Sequence, residues 1–391
     1  MKILIAPDSF KESIDAAKAA EAIARGIRNV LPAAEIVLLP IADGGEGTVE
    51  ALVKAAGGRF VSTAVSGPLG DEVCARWGIL PDGTGVIEMA AASGLPLVPP
   101  SRRNPLLTST LGTGQLIKAA LDQCCNRIIL GVGGSATNDG GAGALVALGA
   151  VLLDDRGRII SPNAQGLLDL HTINTVNIDP RLANTKIEVA SDVDNPLLGP
   201  RGAAAIFAPQ KGADPAMVAV LEQALARQAE VVRSSLGKDI ASFPGSGAAG
   251  GLAAGLSLIS SVTLRSGIEL VLDTINFASH LQGADLVFSG EGKIDGQSAM
   301  GKALSGVARL AGKANVPLIA LCGALGRGYQ EVYNIGVTAV QPIVPGPMSL
   351  EQAIAEADSL LEAAAGRALR VFLAGKLEDR PRTCQVWRQD L

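Results

Sequence analysis

Short apolar runs recur along this chain, each ending in a polar or glycine-rich turn and followed by a stretch with apolar positions three or four apart. Residues 2–6 predict a buried strand, and Ile14, Ala17, Ala20, Ala24, Ile27 and Leu31 predict the buried stripe of a helix behind it. Residues 35–40 repeat the strand, with Asp43-Gly44-Gly45-Glu46-Gly47-Thr48 as its turn and 49–56 as its helix. From Gly57 the texture changes. Residues 60–65, 75–80 and 85–89 are short β-rich pieces divided by Gly-Pro and Pro-Asp-Gly turns, which predicts antiparallel strands. Residues 112–121 predict a helix and 127–130 a strand, which runs through the glycine-rich turn from Gly131 to Gly143 into a helical stretch ending near Leu148. Further on, 186–191 predict a strand, 215–236 a helix and 245–251 the start of a small-residue helix. The last third returns to the opening pattern: strands at 284–289, 316–322 and 336–343, the turn Gly290-Glu291-Gly292-Lys293, and one long amphipathic helix over 350–372.

Because the last third resembles the first sixty residues, the two ends predict one discontinuous α/β domain, 1–65 with 284–376, built on a Rossmann- or flavodoxin-like parallel sheet. Residues 66–283 would form an inserted, mixed α/β domain, with the active site in the cleft, and 377–391 an atypical tail. A length of 391 residues exceeds a typical single core and favours two domains. Aromatic content of 3% leaves a core of Ala, Val, Leu and Ile, which suits buried parallel strands. The net charge of -5, without a long run of either sign, argues against nucleic acid or an anionic membrane as partner. The five cysteines have no CxxC spacing, so a thiolate zinc site or disulfide framework is not expected. With no signal-peptide pattern at the N-terminus and no long apolar stretch, a cytoplasmic protein is expected.

The turn at 131–143 carries Gly133, Gly134, Ser135, Asn138 and Asp139. Its glycines let backbone N–H groups approach a ligand, and a helix start adds positive potential, which suits phosphate; close helix–sheet packing is the alternative. Asp139 would repel a bare phosphate but serve one through a divalent cation. Asp8, Ser9 and Lys11 follow the first strand, although Ser9 with Glu12 also reads as a capping box. Asp43 and Glu46 lie among glycines, and Glu46 could serve only the helix dipole. Asp192 and Asp194 at a strand end suit Mg²⁺, while Asp-Asn-Pro is also a turn initiator. Gly131-Val-Gly-Gly-Ser-Ala136 with Asp154 fits a dinucleotide fingerprint, so a nicotinamide dehydrogenase is a rival reading, and a ligand sensor without turnover is a third. Gly296 to Lys302 fits G-x-x-x-x-G-K, but Ala303 replaces the hydroxyl residue that would contact Mg²⁺. Carboxylates at several strand ends, glycine turns and lysines facing one crevice are the set that phosphoryl transfer needs.

Several of these segments resemble the bacterial glycerate kinases: Ile5-Ala-Pro-Asp-Ser-Phe-Lys11, Ile41-Ala-Asp-Gly-Gly-Glu-Gly-Thr48, the turn from Gly131 to Gly141, Ser191-Asp-Val-Asp-Asn-Pro196, Gly202-Ala-Ala-Ala205 with Pro209-Gln-Lys-Gly212, and Gly290-Glu-Gly-Lys-Ile-Asp295. The resemblance runs in order from residue 1 to about 375; the tail has no counterpart in it. It implies ATP-dependent, Mg²⁺-assisted phosphorylation of D-glycerate to 2-phosphoglycerate, with the 3-hydroxyl the lesser alternative, and a two-domain α/β fold with one discontinuous domain. It also implies a cleft lined by Asp8, Ser9, Lys11, Asp43, Glu46, Asn138, Asp139, Asp192, Asp194, Glu291 and Lys302. Asp8, Ser9, Lys11 and Glu46 would hold glycerate, Lys11 reaching its carboxylate or the transferring phosphate, and Asp192 with Asp194 would hold Mg²⁺. Asp43, ahead of Asp139, would accept the proton. ATP is left open between the central turn, with Gly133, Gly134, Ser135 and Asn138, and the second turn, with Gly290, Glu291 and Lys302. Oligomeric state stays open, a homodimer included.

Overall fold

Ile3, Leu4, Ile5 and Ala6 are buried without alternation, as in a strand covered on both faces by helices. The strand Lys2–Pro7 that they form pairs in parallel with Leu286–Ile294 on one side and Glu35–Leu38 on the other. The structure, a computed structural model, describes residues 1–376 and divides into two compact units, Met1–Pro40 with the chain from Ala278 onward, and Ile41–Phe277. The expected tail, 377–391, lies outside the described residues.

The first unit is an α/β layer structure with five strands, all parallel: Ala339–Pro342, Leu318–Leu325, Leu286–Ile294, Lys2–Pro7 and Glu35–Leu38 in spatial order. Numbered along this unit, the order is 5-4-3-1-2. Ile3, Ile5, Ile23, Ile27, Phe288 and Leu361 belong to its apolar core. The helix Ala16–Arg28 starts at Asp15, whose side chain accepts the Lys18 N–H, so the alternative of a capping box from Ser9 to Glu12 is not formed and Ile14 precedes the helix. A Cβ on Gly26 would stand 2.0 Å from the Glu362 carbonyl, so only glycine permits this crossing with the helix Ala357–Lys376. The single helix expected over 350–372 is two, Leu350–Ala355 and Ala357–Lys376, divided at Glu356.

A second difference concerns Gly290 to Lys293. They continue the strand Leu286–Ile294, paired with Leu318–Leu325 as far as Ile294, and do not form a turn. Gly290 is glycine because a Cβ would stand 2.3 Å from the Leu321 carbonyl of the neighbouring strand.

The second unit is a mixed α/β structure on a six-stranded sheet. Ser261–Arg265, Lys186–Ala190, Arg127–Gly131 and Gly85–Glu88 run parallel, and Glu72–Ile79 and Arg59–Ser66 complete it antiparallel. The sequence pattern places the unit boundary at 65/66 and 283/284; the division falls instead at 40/41 and 277/278. Packing explains the first difference. Thr48–Ala56 lies on the strands of the second unit, close enough that a Cβ on Gly78 would meet Val53 Cγ2 at 2.2 Å, and Arg59–Ser66 pairs with Glu72–Ile79. Among the described residues, no helix is long and apolar enough to cross a membrane.

Candidate functional site

Four parallel strands of the second unit end side by side. Glu88, Gly131, Ala190 and Arg265 are register partners in sequence across the sheet, so the segments that leave these strands share one edge. Open α/β sheets carry ligands at that edge. A pocket of ≈ 260 Å³ opens there, walled by Asp43 to Gly45, Val132 to Ser135 and Ala190 to Val193, and closed by Phe207, Gln210, Ala248 and Ala249. Glycine makes the two turns meet: a Cβ on Gly131 would stand 2.8 Å from the Gly44 carbonyl, and one on Gly133 2.9 Å from Gly45 Cα.

Two carboxylates line the pocket and no lysine or arginine does. Asp43 accepts the Gly45 N–H at Oδ1, 3.2 Å. Asp192 is an exposed residue whose carboxylate accepts the Gly267 N–H at 3.1 Å in a part-buried contact; partial desolvation raises its pKa, and the charges of Asp43 and Glu269 push it the same way, against hydrogen bonds from Ser266 and Gly267. That unbalanced negative charge is what a divalent cation relieves. The expected pairing of Asp192 with Asp194 is not what the structure shows. Asp194 is exposed and holds Arg201 at 2.9 Å, and it is not among the residues that wall the pocket. The second carboxylate in the pocket wall is that of Asp43.

Asp139, the second candidate base, is held by the protein itself. It is fully buried, and its carboxylate accepts the Thr110 N–H and hydroxyl, both at 2.8 Å, and the Gly141 and Gly143 N–H groups at 3.1 and 3.2 Å. These bonds occupy the N–H groups at the start of the helix Ala142–Ala147, so the helix start predicted to receive phosphate is already filled by Asp139. Burial raises its pKa, and the four hydrogen bonds oppose that shift. What the turn offers to the pocket is Gly133, Gly134 and Ser135. Asn138 is fully buried and also stands outside the pocket wall, with no hydrogen-bond partner at either end of its amide.

One positioning residue escaped sequence reasoning. Glu88 accepts the Val49 N–H at 2.7 Å, with the Gly47 and Thr48 N–H groups also turned toward it, and so pins the end of the Asp43 turn to the sheet. Burial pushes its pKa up. Its signal in the sequence is an acid closing the apolar run Gly85-Val86-Ile87. Asp154, read as a ribose-binding acid, instead accepts the Arg156 and Arg158 N–H groups and pairs with the Arg158 side chain, closing its own turn. Glu46 is exposed and absent from the pocket wall.

The first unit gathers a separate group at the carboxyl ends of adjacent strands. The Asp8 N–H donates to the Gly290 carbonyl at 2.9 Å, and Asp8 Oδ1 accepts the Ser9 N–H at 2.7 Å. Gly292 lies against the Phe10–Lys11 backbone, where a Cβ would stand 3.4 Å from the Lys11 nitrogen. Glu291 accepts a short hydrogen bond from Ser298; burial raises its pKa, and Ser298, Lys302 and Lys11 oppose the rise. Lys302 donates to Gln297 at 3.3 Å and precedes the helix Ala303–Lys313. The near-match to a phosphate loop forms a short 3₁₀ turn, Gly296–Ala299, capped by Asp295.

Comparison with known proteins identifies the family. A family profile described as the glycerate kinase family matches residues 3–373. The chain is 51% identical to a protein of Bacillus subtilis strain 168 named glycerate kinase, over 93% of this chain and 95% of that protein. It is 48% identical to a protein of Escherichia coli K12 named glycerate 2-kinase, over 90% and 93%. A crystal structure from Salmonella typhimurium LT2, provisionally named glycerate kinase 2, superposes with a TM-score of 0.88 at 45% identity, covering 96% of this chain and 99% of that one.

Proposed function

The chain belongs to the glycerate kinase family and is an enzyme of that kind, and from this premise we propose that it transfers the γ-phosphoryl group of ATP to the 2-hydroxyl of D-glycerate, not to the 3-hydroxyl. The observation that carries the reading is the pocket in which Asp43 and Asp192 face a wall made from two glycine turns. At ≈ 260 Å³ it lies below the ~300–1,000 Å³ of sites for drug-sized ligands. That size supports glycerate and the transferring phosphate as occupants, with the bulk of the nucleotide outside. The name carried by the E. coli relative supports the 2-hydroxyl.

Asp43 takes the proton of the substrate hydroxyl as its oxygen bonds to phosphorus. The Gly45 N–H bond at Oδ1 orients that carboxylate, and Glu88 holds the turn that bears it. The residues fit a divalent cation: desolvation of the Asp192 carboxylate and the charges of Asp43 and Glu269 disfavour its negative charge, and Mg²⁺ asks for only one or two carboxylates, phosphate oxygens and water completing its shell. Bound there, Mg²⁺ would neutralise charge on the phosphate oxygens. In the first unit we read the strand order as flavodoxin-like, which puts Asp8, Ser9, Lys11 and Glu291 at the switch between strands 1 and 3. Lys11 and Lys302 are assigned to phosphate or carboxylate charge.

The test is ADP release from ATP with D-glycerate and Mg²⁺, followed by phosphorus NMR of the product. Glycerate-dependent release is expected, with one proton coupled to phosphorus across the ester oxygen, the pattern of a secondary ester. Two coupled protons would assign the 3-hydroxyl, and release independent of glycerate would sink the reading.

A further inference from the structure

Lys211 is 1% exposed, among the largest fully buried side chains of the chain, and the site described above gives it no task. It closes the short turn Pro209–Lys211, and its Nζ donates to the Thr137 carbonyl at 2.5 Å. Gln228, wholly buried in the helix Pro215–Leu236, donates to the Gly140 carbonyl at 2.9 Å. Two side chains from outside the glycine-rich turn therefore hold two of its carbonyls, while Asp139 gathers the N–H groups of residues 141 and 143. Close by, Thr137 Oγ1, both ends of the Asn138 amide and Gln228 Oε1 are buried without a hydrogen-bond partner. Burying an ammonium group costs far more than burying the methionine that would fill the same volume. Stability alone gives no reason for a lysine here, and the pocket wall carried by the turn that it holds gives a functional one.

We infer that Lys211 is a positioning residue: it fixes the Thr137 carbonyl and so holds the turn from Gly131 to Gly143, keeping Gly133 to Ser135 in the pocket wall. The inference rests on the kinase reading for the activity it affects and on the hydrogen-bond geometry for its mechanism. Burial pushes the Lys211 ammonium down to about 7, and Asp139, the charged group that acts on it, pulls the other way. A proton on this lysine near neutrality is consistent with a group placed for its local field.

The experiment compares full-length wild type with Lys211→Met, by backbone hydrogen–deuterium exchange over 131–143 and by steady-state kinetics in D-glycerate and MgATP. Exchange is expected to rise roughly three- to tenfold in 131–143 and to stay unchanged in the sheet Lys2–Pro7, Leu286–Ile294. The ratio kcat/KM is expected to fall about 10²-fold, with kcat carrying most of the loss, since a displaced wall misaligns the reacting groups. Unchanged exchange in 131–143 overturns the inference, and so does kcat/KM within threefold of wild type. A wild type without glycerate-dependent turnover refutes the kinase reading instead, and the exchange comparison still decides whether Lys211 holds the turn. Should Lys211→Met not fold, Lys211→Leu, which also lacks a donor, replaces it: localised loss of protection supports the inference, and wild-type protection overturns it.

Discussion

Gly133→Ala tests whether contact between the two glycine turns sets the geometry of the pocket. Gly133 does not have a positive φ, so alanine meets no backbone strain, and the perturbation is a single methyl group. That methyl would stand 2.9 Å from Gly45 Cα, about 0.5 Å short of the 3.4 Å at which ordinary contact begins. The neighbour is backbone, not the end of a flexible side chain, so the turns must separate by several tenths of an ångström. Overpacking of this kind costs ~1–3 kcal/mol. A misplacement of about 1 Å at reacting groups costs around 10²-fold, so half of that should lower kcat/KM by roughly tenfold. Urea unfolding and coupled ADP release measure the two effects. Gly346→Ala is the control, because its Cβ would meet nothing within 4 Å and its φ is not positive. Wild-type kcat/KM in Gly133→Ala, with Gly346→Ala equally silent, would refute the argument that turn contact shapes the site.

Further outcomes follow from the same geometry. Asp43→Asn should lower kcat by ~10²–10⁴-fold with little change in denaturation midpoint, since it removes a proton acceptor and keeps the shape; near-normal turnover would exclude Asp43 as the base. Asp192→Asn should raise the Mg²⁺ concentration needed for half-maximal rate while leaving stability equal or greater, because burial and like charges already disfavour the carboxylate; Asp194→Ala, an exposed pair with Arg201, should cost under ~1 kcal/mol and leave Mg²⁺ dependence alone. Glu88→Ala should cost about 1–3 kcal/mol, read by urea unfolding, by leaving the buried Val49 N–H without its acceptor. Lys211 titrates near 7 when folded and near 10.5 when unfolded, so between those values the unfolded state binds more protons and stability should rise with pH, by at most ~1.4 kcal/mol per unit. Lys211→Met should flatten that slope in urea titrations from pH 7 to 9.

How much of this the sequence reveals depends on the range of the interaction that decides each residue. Consecutive burial is local, so the strands at residues 2–6, 127–130 and 186–191 and the helix Pro215–Leu236 are legible from apolar runs and periodicity. The unit boundary is not, because Thr48–Ala56 looks the same whether its apolar face meets one sheet or the other, and only Gly78 against Val53 decides it. Gly290 likewise reads as a turn glycine until the neighbouring strand is present to show that the lost Cβ makes room for Leu321.

The acids divide along the same line. Asp43, Asp139, Asp192 and Asp194 all stand near glycine or proline turns, and residue type and spacing treat them alike. Their partners separate them: Thr110 and two helix N–H groups claim Asp139, Arg201 claims Asp194, and Asp43 and Asp192 are left facing one pocket. A carboxylate with four protein donors has little capacity left for a substrate proton, whereas one held at a single oxygen keeps the other available. The choice between Asp43 and Asp139 therefore turns on Thr110, which lies 29 residues before Asp139 in the chain and carries no mark of its role until the fold brings the two together.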